Sequence, residues 1–268
     1  MTSLRRLCLL AVLLLPQLAT AQVTALRLST TTSTENSGLL ARLLPPFEQR
    51  FNIAVDVIAV GSGAALKLAD NGDVDVTISH APELEAAFLA SGKGVNPRSF
   101  MYNHFVIVGP PEDPAGLASL PNLGAGLQRL AASEAAFVSR GDESGTHIKE
   151  RQLWQASGLQ PKGRWYRSAG QGMGQVLVMA SEMNAYTLTD RGTFLTMQHK
   201  LTSKIVLAGD PPVHNPYTIM AVNPARHAGA RYLEAMQLIA WVTSREGQQI
   251  IRDFRVAGEP VFIPTAIP

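Results

Sequence analysis

The stretch that decides the fold is FVSRGDESGTHIKE, residues 137–150. An apolar strand-like run ends at Arg140, a tight polar turn follows, and Ser144-Gly145-Thr146 begins an amphipathic segment that predicts a helix. A helix N-terminus has free N–H groups and the positive end of the helix dipole, so it attracts anions. Arg140 adds a planar fork of donors with a permanent charge. This stretch predicts either an oxyanion site or a plain helix cap with Arg140 paired to Asp142 or Glu143.

Two further strand-to-helix junctions carry the same kinds of residues. The strand-like run 26–29 leads into six hydroxyl residues between positions 30 and 37, more than one helix cap requires. Gly61-Ser62-Gly63 stands between the strand-like run 54–60 and the helix-like run 64–69, and its glycines allow backbone N–H groups to approach a ligand closely. Ligands of open α/β sheets bind at the carboxyl ends of strands. Three such junctions favour one shared anion site over three unrelated caps.

Along the whole chain, strand-like and helix-like segments alternate, which favours mostly parallel sheets flanked by helices. The predicted strands span residues 26–29, 54–60, 74–79, 103–108, 136–139, 185–188, 205–208 and 217–222. The predicted helices span residues 37–44, 64–69, 82–90, 126–133, 145–156, 173–182, 191–199, 228–243 and 246–254. Proline-rich turns at 110–114 and 210–212 bracket about one hundred residues, so we expect an inserted second lobe between them.

The first 21 residues predict a secretory signal peptide. Arg5 and Arg6 precede an apolar run at 7–15, which is too short to span a bilayer, and Ala19-Thr20-Ala21 is a small-x-small cleavage site. The only cysteine, Cys8, lies inside this run, so the mature chain needs no disulfide. We therefore expect a periplasmic protein with a cleaved signal peptide.

Removal of this signal peptide leaves a chain without net charge. The 23 Lys and Arg residues fall to 21 once Arg5 and Arg6 are gone, which equals the 21 Asp and Glu residues. The sequence has no cluster of basic residues, so no nucleic-acid partner is indicated. Its six His residues are scattered without metal-ligand spacing, so we expect neither a metal site nor a cofactor.

An enzyme is the first alternative to a binding protein. GDESG at 141–145 lacks the G-x-S-x-G pattern of a nucleophile elbow. His147 follows Ser144 at a helical spacing that brings its ring toward the hydroxyl, which leaves a secreted serine hydrolase as an alternative. No partner acid is evident, and GSGAAL at 61–66 lacks the last glycine of the dinucleotide-binding pattern. We therefore predict that the chain is not an enzyme.

Seven segments together resemble a known family. They are TTTSTENSG at 30–38, AVGSGAALKLADNGDVDV at 59–76, HAPE at 80–83, MYNHFVIVGP at 101–110, SRGDESGTH at 139–147, GQGMG at 170–174 and AYTLTDRGT at 185–193. In this order they closely resemble the tungstate-binding periplasmic proteins of bacterial ABC importers. The resemblance implies an α/β, two-lobed periplasmic binding protein, type II-like. Each lobe would be a mostly parallel sheet flanked by helices, and two hinge strands would join lobe I (22–109 and 214–268) to lobe II (110–213).

The resemblance also implies a function and a set of contacts. The protein would capture tungstate, or molybdate, in the cleft between the lobes and deliver it as a monomer to the membrane permease of an ABC importer. The implied ligand contacts are Thr31, Thr32, Ser33, Ser62, Arg140, Ser144, Gly145 and Thr146. Tungsten would be bound only as the oxyanion. The alternative within the same class is a binding protein for another oxyanion, such as sulfate or phosphate, or for a small organic acid.

One position separates this chain from the related phosphate-binding proteins. Those proteins place an acidic residue soon after the third strand, where it accepts the proton that phosphate retains, whereas this chain has His80 there. Tungstate and molybdate bring only acceptors, so their site needs donors, and an unpaired buried carboxylate would oppose binding. His80 therefore argues against phosphate unless it only caps the following helix. The loop 170–174 either lines the cleft or serves as a hinge or packing element.

Overall fold

The computed structural model of this protein describes residues 24–266; the predicted signal peptide, residues 1–21, lies outside them. The strands are β1 Thr24–Thr31, β2 Ile53–Val60, β3 Val76–Ser79, β4 Gly94–Gly109, β5 Phe137–Ser139, β6 Tyr166–Ser168, β7 Thr187–Asp190, β8 Lys204–Leu207, β9 Val213–Val222, β10 Arg255–Val256, β11 Glu259–Pro260 and β12 Ile263–Pro264. The α-helices are α1 Thr32–Asn36, α2 Leu40–Phe51, α3 Ser62–Asn71, α4 Pro82–Ala90, α5 Leu123–Ser133, α6 Gly145–Ala156, α7 Met173–Glu182, α8 Arg191–Met197, α9 Tyr232–Thr243 and α10 Arg245–Asp253. Within 24–266, a helix both long and apolar enough to cross a membrane does not occur.

The sheet of the first lobe runs in the order β2-β1-β3-β9-β4, with the short β12 on the outer side of β4. Strands β1, β2 and β3 are parallel to one another, and β9 is antiparallel to β3. Helices follow each parallel strand, so the carboxyl ends of β1, β2 and β3 all face the same edge. That edge is where the hydroxyl-rich and glycine-rich junctions meet.

The second lobe repeats this arrangement. Strand β5 is parallel to β6, and it also lies beside the start of β7, where Phe137 bridges Tyr186 in parallel register. Strands β7 and β8 are both antiparallel to the end of β4. Each lobe thus joins three parallel strands to an antiparallel partner, which confirms the predicted α/β two-lobed fold and makes the whole sheet mixed.

Two long strands connect the lobes. Strand β4 pairs with β9 from Gly94 opposite Val222 to Phe105 opposite Val213, and its last residues pair with β7 and β8. These are the two hinge strands that the fold prediction requires. The boundaries at 109/110 and 213/214 stay a prediction.

The apolar core lies on the faces of these sheets. The largest buried cluster packs α2 and α9 against the first-lobe sheet through residues such as Phe47 and Leu238, and it continues into the second lobe through Val176 and Phe194. A second cluster, centred on Trp154, fills the other face of the second lobe. Each buried Leu, Val or Phe contributes about 1.5–3 kcal/mol relative to an exposed one. The largest cluster thus continues from the first lobe into the second.

Helix α2 runs seven residues beyond its predicted end at Leu44, through Pro45 and Pro46. Proline removes a backbone donor and usually ends a helix. Here the carbonyls that lose their partners belong to Ala41 and Arg42, both exposed to water. The helix persists because its opposite face, which includes Phe47, is buried.

Candidate functional site

Helices α3 and α6 meet with their N-termini across the two lobes. The backbone N–H of Gly145, the first residue of α6, donates to Ser62 Oγ, the first residue of α3, at 3.3 Å. A β-carbon on Gly145 would lie 3.1 Å from the His80 carbonyl oxygen and 3.4 Å from Ser62 Oγ. A side chain at position 145 would therefore be crowded, and the positive ends of two helix dipoles point toward one place.

Arg140 supplies a buried positive charge beside this meeting point. Arg140 is 5% exposed, and its Nε donates to Asp142 Oδ2 at 2.8 Å. Neither terminal amino group of Arg140 has a hydrogen-bond acceptor within residues 24–266. Gly141, at φ 62°, makes the turn that follows, and a β-carbon there would collide with Ser168. The predicted pairing with Asp142 is thus present, yet it occupies only one edge of the guanidinium fork.

Two hydroxyls of the second lobe flank the start of α6. Ser144 is its N-cap and accepts the backbone N–H of His147 at 3.4 Å. Thr146 is 1% exposed, and its Oγ1 has no hydrogen-bond partner among the described residues. A buried hydroxyl left unpaired costs about 1–3 kcal/mol. Thr146 Oγ1 is therefore a donor that a bound anion would satisfy.

A buried carboxylate holds the second-lobe half of the site in place. Glu150 accepts from Ser139 Oγ at 2.9 Å, from Trp154 Nε1 at 3.2 Å and from Tyr166 OH at 2.8 Å. Burial raises the pKa of the Glu150 carboxyl, and these donors oppose that rise. Because Ser139 precedes Arg140 in the chain, Glu150 ties the end of β5 to α6 and β6.

The first-lobe hydroxyls form a compact cluster at the start of α1. Thr31 is the N-cap, accepts the Thr34 backbone N–H at 3.2 Å and lies 3.0 Å from Ser33 Oγ. Thr32 is half-buried and lines, with Ser33 and residues 173–174, a cavity of about 30 Å³. The 170–174 loop therefore reaches the α1 hydroxyls, and its role toward a ligand stays a prediction.

His80 belongs to this cluster and does not cap α4. Helix α4 has Ala81 at its N-cap position and no side-chain capping bond. The His80 ring places Nε2 3.1 Å from Thr31 Oγ1 and 3.2 Å from Ser33 Oγ. Burial, together with the charge of Arg140, lowers its pKa, while Asp190 opposes this. Burial therefore favours the neutral form of the His80 ring.

Behind His80, a chain of buried side chains crosses both hinge strands. His80 Nδ1 lies 3.0 Å from Asn215 Oδ1, Asn215 Nδ2 donates to Asn103 Oδ1 at 2.8 Å, and Asn103 Nδ2 donates to Asp190 Oδ1 at 2.8 Å. Asn103 and Asn215 are register partners on β4 and β9. No local pattern in the sequence marks Asn103, Asn215 or Asp190 as part of the site.

The structure thus brings together the predicted contacts in two groups. Thr31, Thr32, Ser33 and Ser62 lie in the first lobe, and Arg140, Ser144, Gly145 and Thr146 lie in the second; the Gly145–Ser62 contact joins the groups. Beside this contact is a cavity of about 220 Å³, lined in part by His80, Lys149 and Asn215. The arrangement offers N–H and O–H donors and the charge of Arg140 to a ligand, which suits an anion with acceptors on every side.

The hydrolase alternative needs a Ser144 hydroxyl that donates to the His147 ring. Instead, Ser144 Oγ accepts the His147 backbone N–H, and the His147 ring nitrogen Nδ1 accepts the backbone N–H of Glu143 at 3.1 Å. The Nδ1 atom of the His147 ring is therefore already occupied by a backbone N–H donor. Across residues 24–266, no group of three or more His, Cys, Asp or Glu side chains is placed to hold a metal ion.

Two sheet-based lobes around a cleft lined with donors define a solute-binding protein for anions. A family model described as a PBP superfamily domain matches residues 18–246, and the chain belongs to this superfamily. It is 46% identical over 247 residues to a putative ABC transporter anion-binding protein of Haloferax volcanii, covering 90% of this chain and 72% of that protein. It is 42% identical over 244 residues to the tungstate-binding protein TupA of Peptoclostridium acidaminophilum, covering 89% and 85%. The crystal structure of the tungstate ABC transporter from Geobacter sulfurreducens matches with a TM-score of 0.82 at 54% identity, covering 86% of this chain and 98% of that one.

Proposed function

We propose that this protein is the periplasmic solute-binding protein of an ABC importer and that it captures tungstate, or molybdate, between its lobes. The observation that carries the proposal is the junction of α3 and α6, where Gly145 N–H and Ser62 Oγ meet beside the free edge of Arg140. The unpaired Thr146 hydroxyl adds a further donor at this junction. The names of the similar proteins support tungstate as the anion.

We assign the ligand contacts to residues of both lobes. They are Thr31, Thr32, Ser33, Ser62, Arg140, Ser144, Gly145 and Thr146. Because the contacts come from segments more than seventy residues apart, the lobes must approach each other for all of them to reach one small anion. We further propose lobe boundaries at 109/110 and 213/214, and delivery of the anion to a membrane permease by a monomer without a catalytic role; the similarity to ABC transporter binding proteins supports the permease partner.

A thermal-shift panel on residues 22–268 tests the proposal. A ligand that binds only the folded state raises its stability by RT ln(1 + [L]/Kd), about 4 kcal/mol at a thousandfold excess over Kd. Tungstate and molybdate share charge and shape, and both should raise Tm strongly, whereas phosphate should do so weakly. Sulfate and chromate complete the panel as other tetrahedral dianions. A larger shift with sulfate or phosphate than with tungstate would reassign the site to that anion.

A further inference from the structure

The direction of the hydrogen bonds behind His80 is set from the second lobe. An ionised carboxylate only accepts, so Asp190 requires Asn103 to present its amide N–H₂ and to turn its oxygen toward Asn215. Asn215 must then donate to that oxygen, which turns its own Oδ1 toward His80. His80 therefore carries a proton on Nδ1 and donates it to Asn215. In the neutral ring, the other nitrogen, Nε2, has a lone pair.

That lone pair faces the hydroxyls of the proposed anion site. Nε2 is 3.1 Å from Thr31 Oγ1 and 3.2 Å from Ser33 Oγ, and Thr34 Oγ1 lies 2.7 Å from Thr31 Oγ1. Neutral His80 consumes one hydroxyl proton that an anion would otherwise receive. If Nε2 gains a proton, it donates to Thr31, Thr31 can donate to Ser33 at 3.0 Å, and Ser33 can donate to the anion. Protonation therefore turns this row of hydroxyls toward a ligand without moving a heavy atom.

We propose that His80 takes up one proton at Nε2 when a tetrahedral dianion binds, and that Asp190 stabilises the resulting imidazolium through Asn103 and Asn215. The proton comes from solvent, and both ring N–H groups then have acceptors already in place. A dianion favours a cation nearby, and Asp190 gives the donor chain a negative end. This inference rests on the proposed function, since it assigns a role to residues behind the same site. In it, Asp190, Asn103 and Asn215 are positioning residues, because they act on the anion only through His80.

Several charged or titratable groups surround the His80 ring and bear on this proton. They are Arg140 after β5, Asp190 at the end of β7, Glu83 and Glu85 on α4, Lys149 on α6, and His214 and Tyr217 on β9. Arg140 and burial favour the neutral ring in the free protein, whereas Asp190 favours the charged ring. A dianion beside Arg140 offsets that arginine's charge and itself favours a cation, so it acts together with Asp190 and Asn215 against the effect of burial.

Calorimetry in buffers of different ionisation enthalpy measures the proton count directly. Tungstate is titrated into residues 22–268 between pH 6.5 and 8.5. We expect an uptake that rises as the pH falls, up to one proton per anion, and an affinity that rises in parallel. His80→Gln should bind tungstate with no proton uptake, while His147→Gln, which alters the other histidine near Arg140, should keep the uptake.

Asp190→Asn tests the role of the hinge network. Asn is as good an N-cap as Asp, so α8 should remain capped. We expect the proton uptake at pH 7 to fall by about half or more, because the donor chain loses its negative end. Asp113→Asn makes the same change at another carboxylate of the second lobe, which accepts from Ala118 N–H and from Tyr186 OH, and it should leave the uptake unchanged.

Nitrogen NMR of the His80 ring in the wild-type protein gives a second readout that needs no variant. The free protein should show a neutral ring protonated on Nδ1, and the tungstate complex should show both nitrogens protonated. Absence of proton uptake in the wild type, its persistence in His80→Gln, or a free ring protonated on Nε2 would each overturn the inference. A wild-type protein that gives no binding heat with tungstate would instead overturn the proposed function.

Discussion

Replacement of Arg140 by alanine should cause the largest loss of tungstate affinity of any single substitution. The salt bridge to Asp142 occupies Nε, so the two terminal amino groups are free to donate to the anion. Each charge-assisted hydrogen bond contributes about 1.5–3 kcal/mol, so two of them give about 3 kcal/mol or more. At about 1.4 kcal/mol per tenfold change, Kd should rise about a hundredfold or more. The variant also leaves Asp142 without its partner, which adds repulsion toward a dianion.

The fold should survive this change. The Arg140 side chain is 6% exposed and that of Asp142 is 21% exposed, so the lost ion pair should cost more than a surface pair, about 1–3 kcal/mol of folding free energy, a cost that solvation of Asp142 limits. Arg140→Lys should give an intermediate affinity, because it keeps the charge but loses the planar fork. The double variant Arg140→Ala with Asp142→Asn removes both charges and should bind better than Arg140→Ala alone, yet more weakly than the wild type.

Isothermal titration calorimetry measures these affinities, and Arg151→Ala is the matched control. Arg151 lies on α6 and pairs with Glu143 at 2.9 Å, and its side chain is 54% exposed, so its removal changes the net charge equally without touching the cleft. We expect less than about a threefold effect from this control. A near-wild-type affinity in Arg140→Ala would remove Arg140 from the site. Equal losses in both variants would mean that long-range charge, and no direct contact, explains the effect.

Three further outcomes follow from the same geometry. His80→Asp should weaken tungstate binding and improve phosphate relative to tungstate, because a carboxylate repels a dianion but accepts the proton of hydrogen phosphate; an unchanged ratio in competition assays would place residue 80 outside the site. Gly145→Ala should weaken tungstate binding by about tenfold and reduce the ligand-induced compaction seen by small-angle scattering, because the new β-carbon would lie 3.1 Å from the His80 carbonyl oxygen. Gly229→Ala, which has open space around it, should change neither the affinity nor the compaction. The pKa of His80 is lower in the folded protein than its ordinary value of 6.5, so the unfolded chain binds more protons at acidic pH. The contribution of His80 to stability is therefore present above pH 6.5 and is lost as the pH falls through the pKa of the folded protein. Urea unfolding of the ligand-free protein should therefore show the stability gap between wild type and His80→Gln shrinking with acidity, and a constant gap would contradict the assignment.

Much of the fold could be predicted because its signals are local. The bounds of α4, α6 and α7 match their predicted ranges residue for residue, since apolar spacing and the residues at each end mark them. Strand β4 was predicted only over residues 103–108, and it begins at Gly94. Its first half contains Pro97 and exposed polar residues, and the alternation there is interrupted by shifts in register with β9. Such a strand exists because its partner supplies the hydrogen bonds.

The candidate site also has one part that the sequence predicts and another that only the tertiary structure shows. The sequence alone determined the three strand-to-helix junctions, because hydroxyls, glycines and an arginine at the start of a helix are neighbours along the chain. Only the tertiary structure decided that Ser62 meets Gly145, 83 residues away, and that His80 meets Asn215, 135 residues away. Those contacts depend on the register of β4 with β9 and on the packing of two lobes. Neither leaves a periodic trace in the sequence, since a buried asparagine is specified by a partner that lies far along the chain.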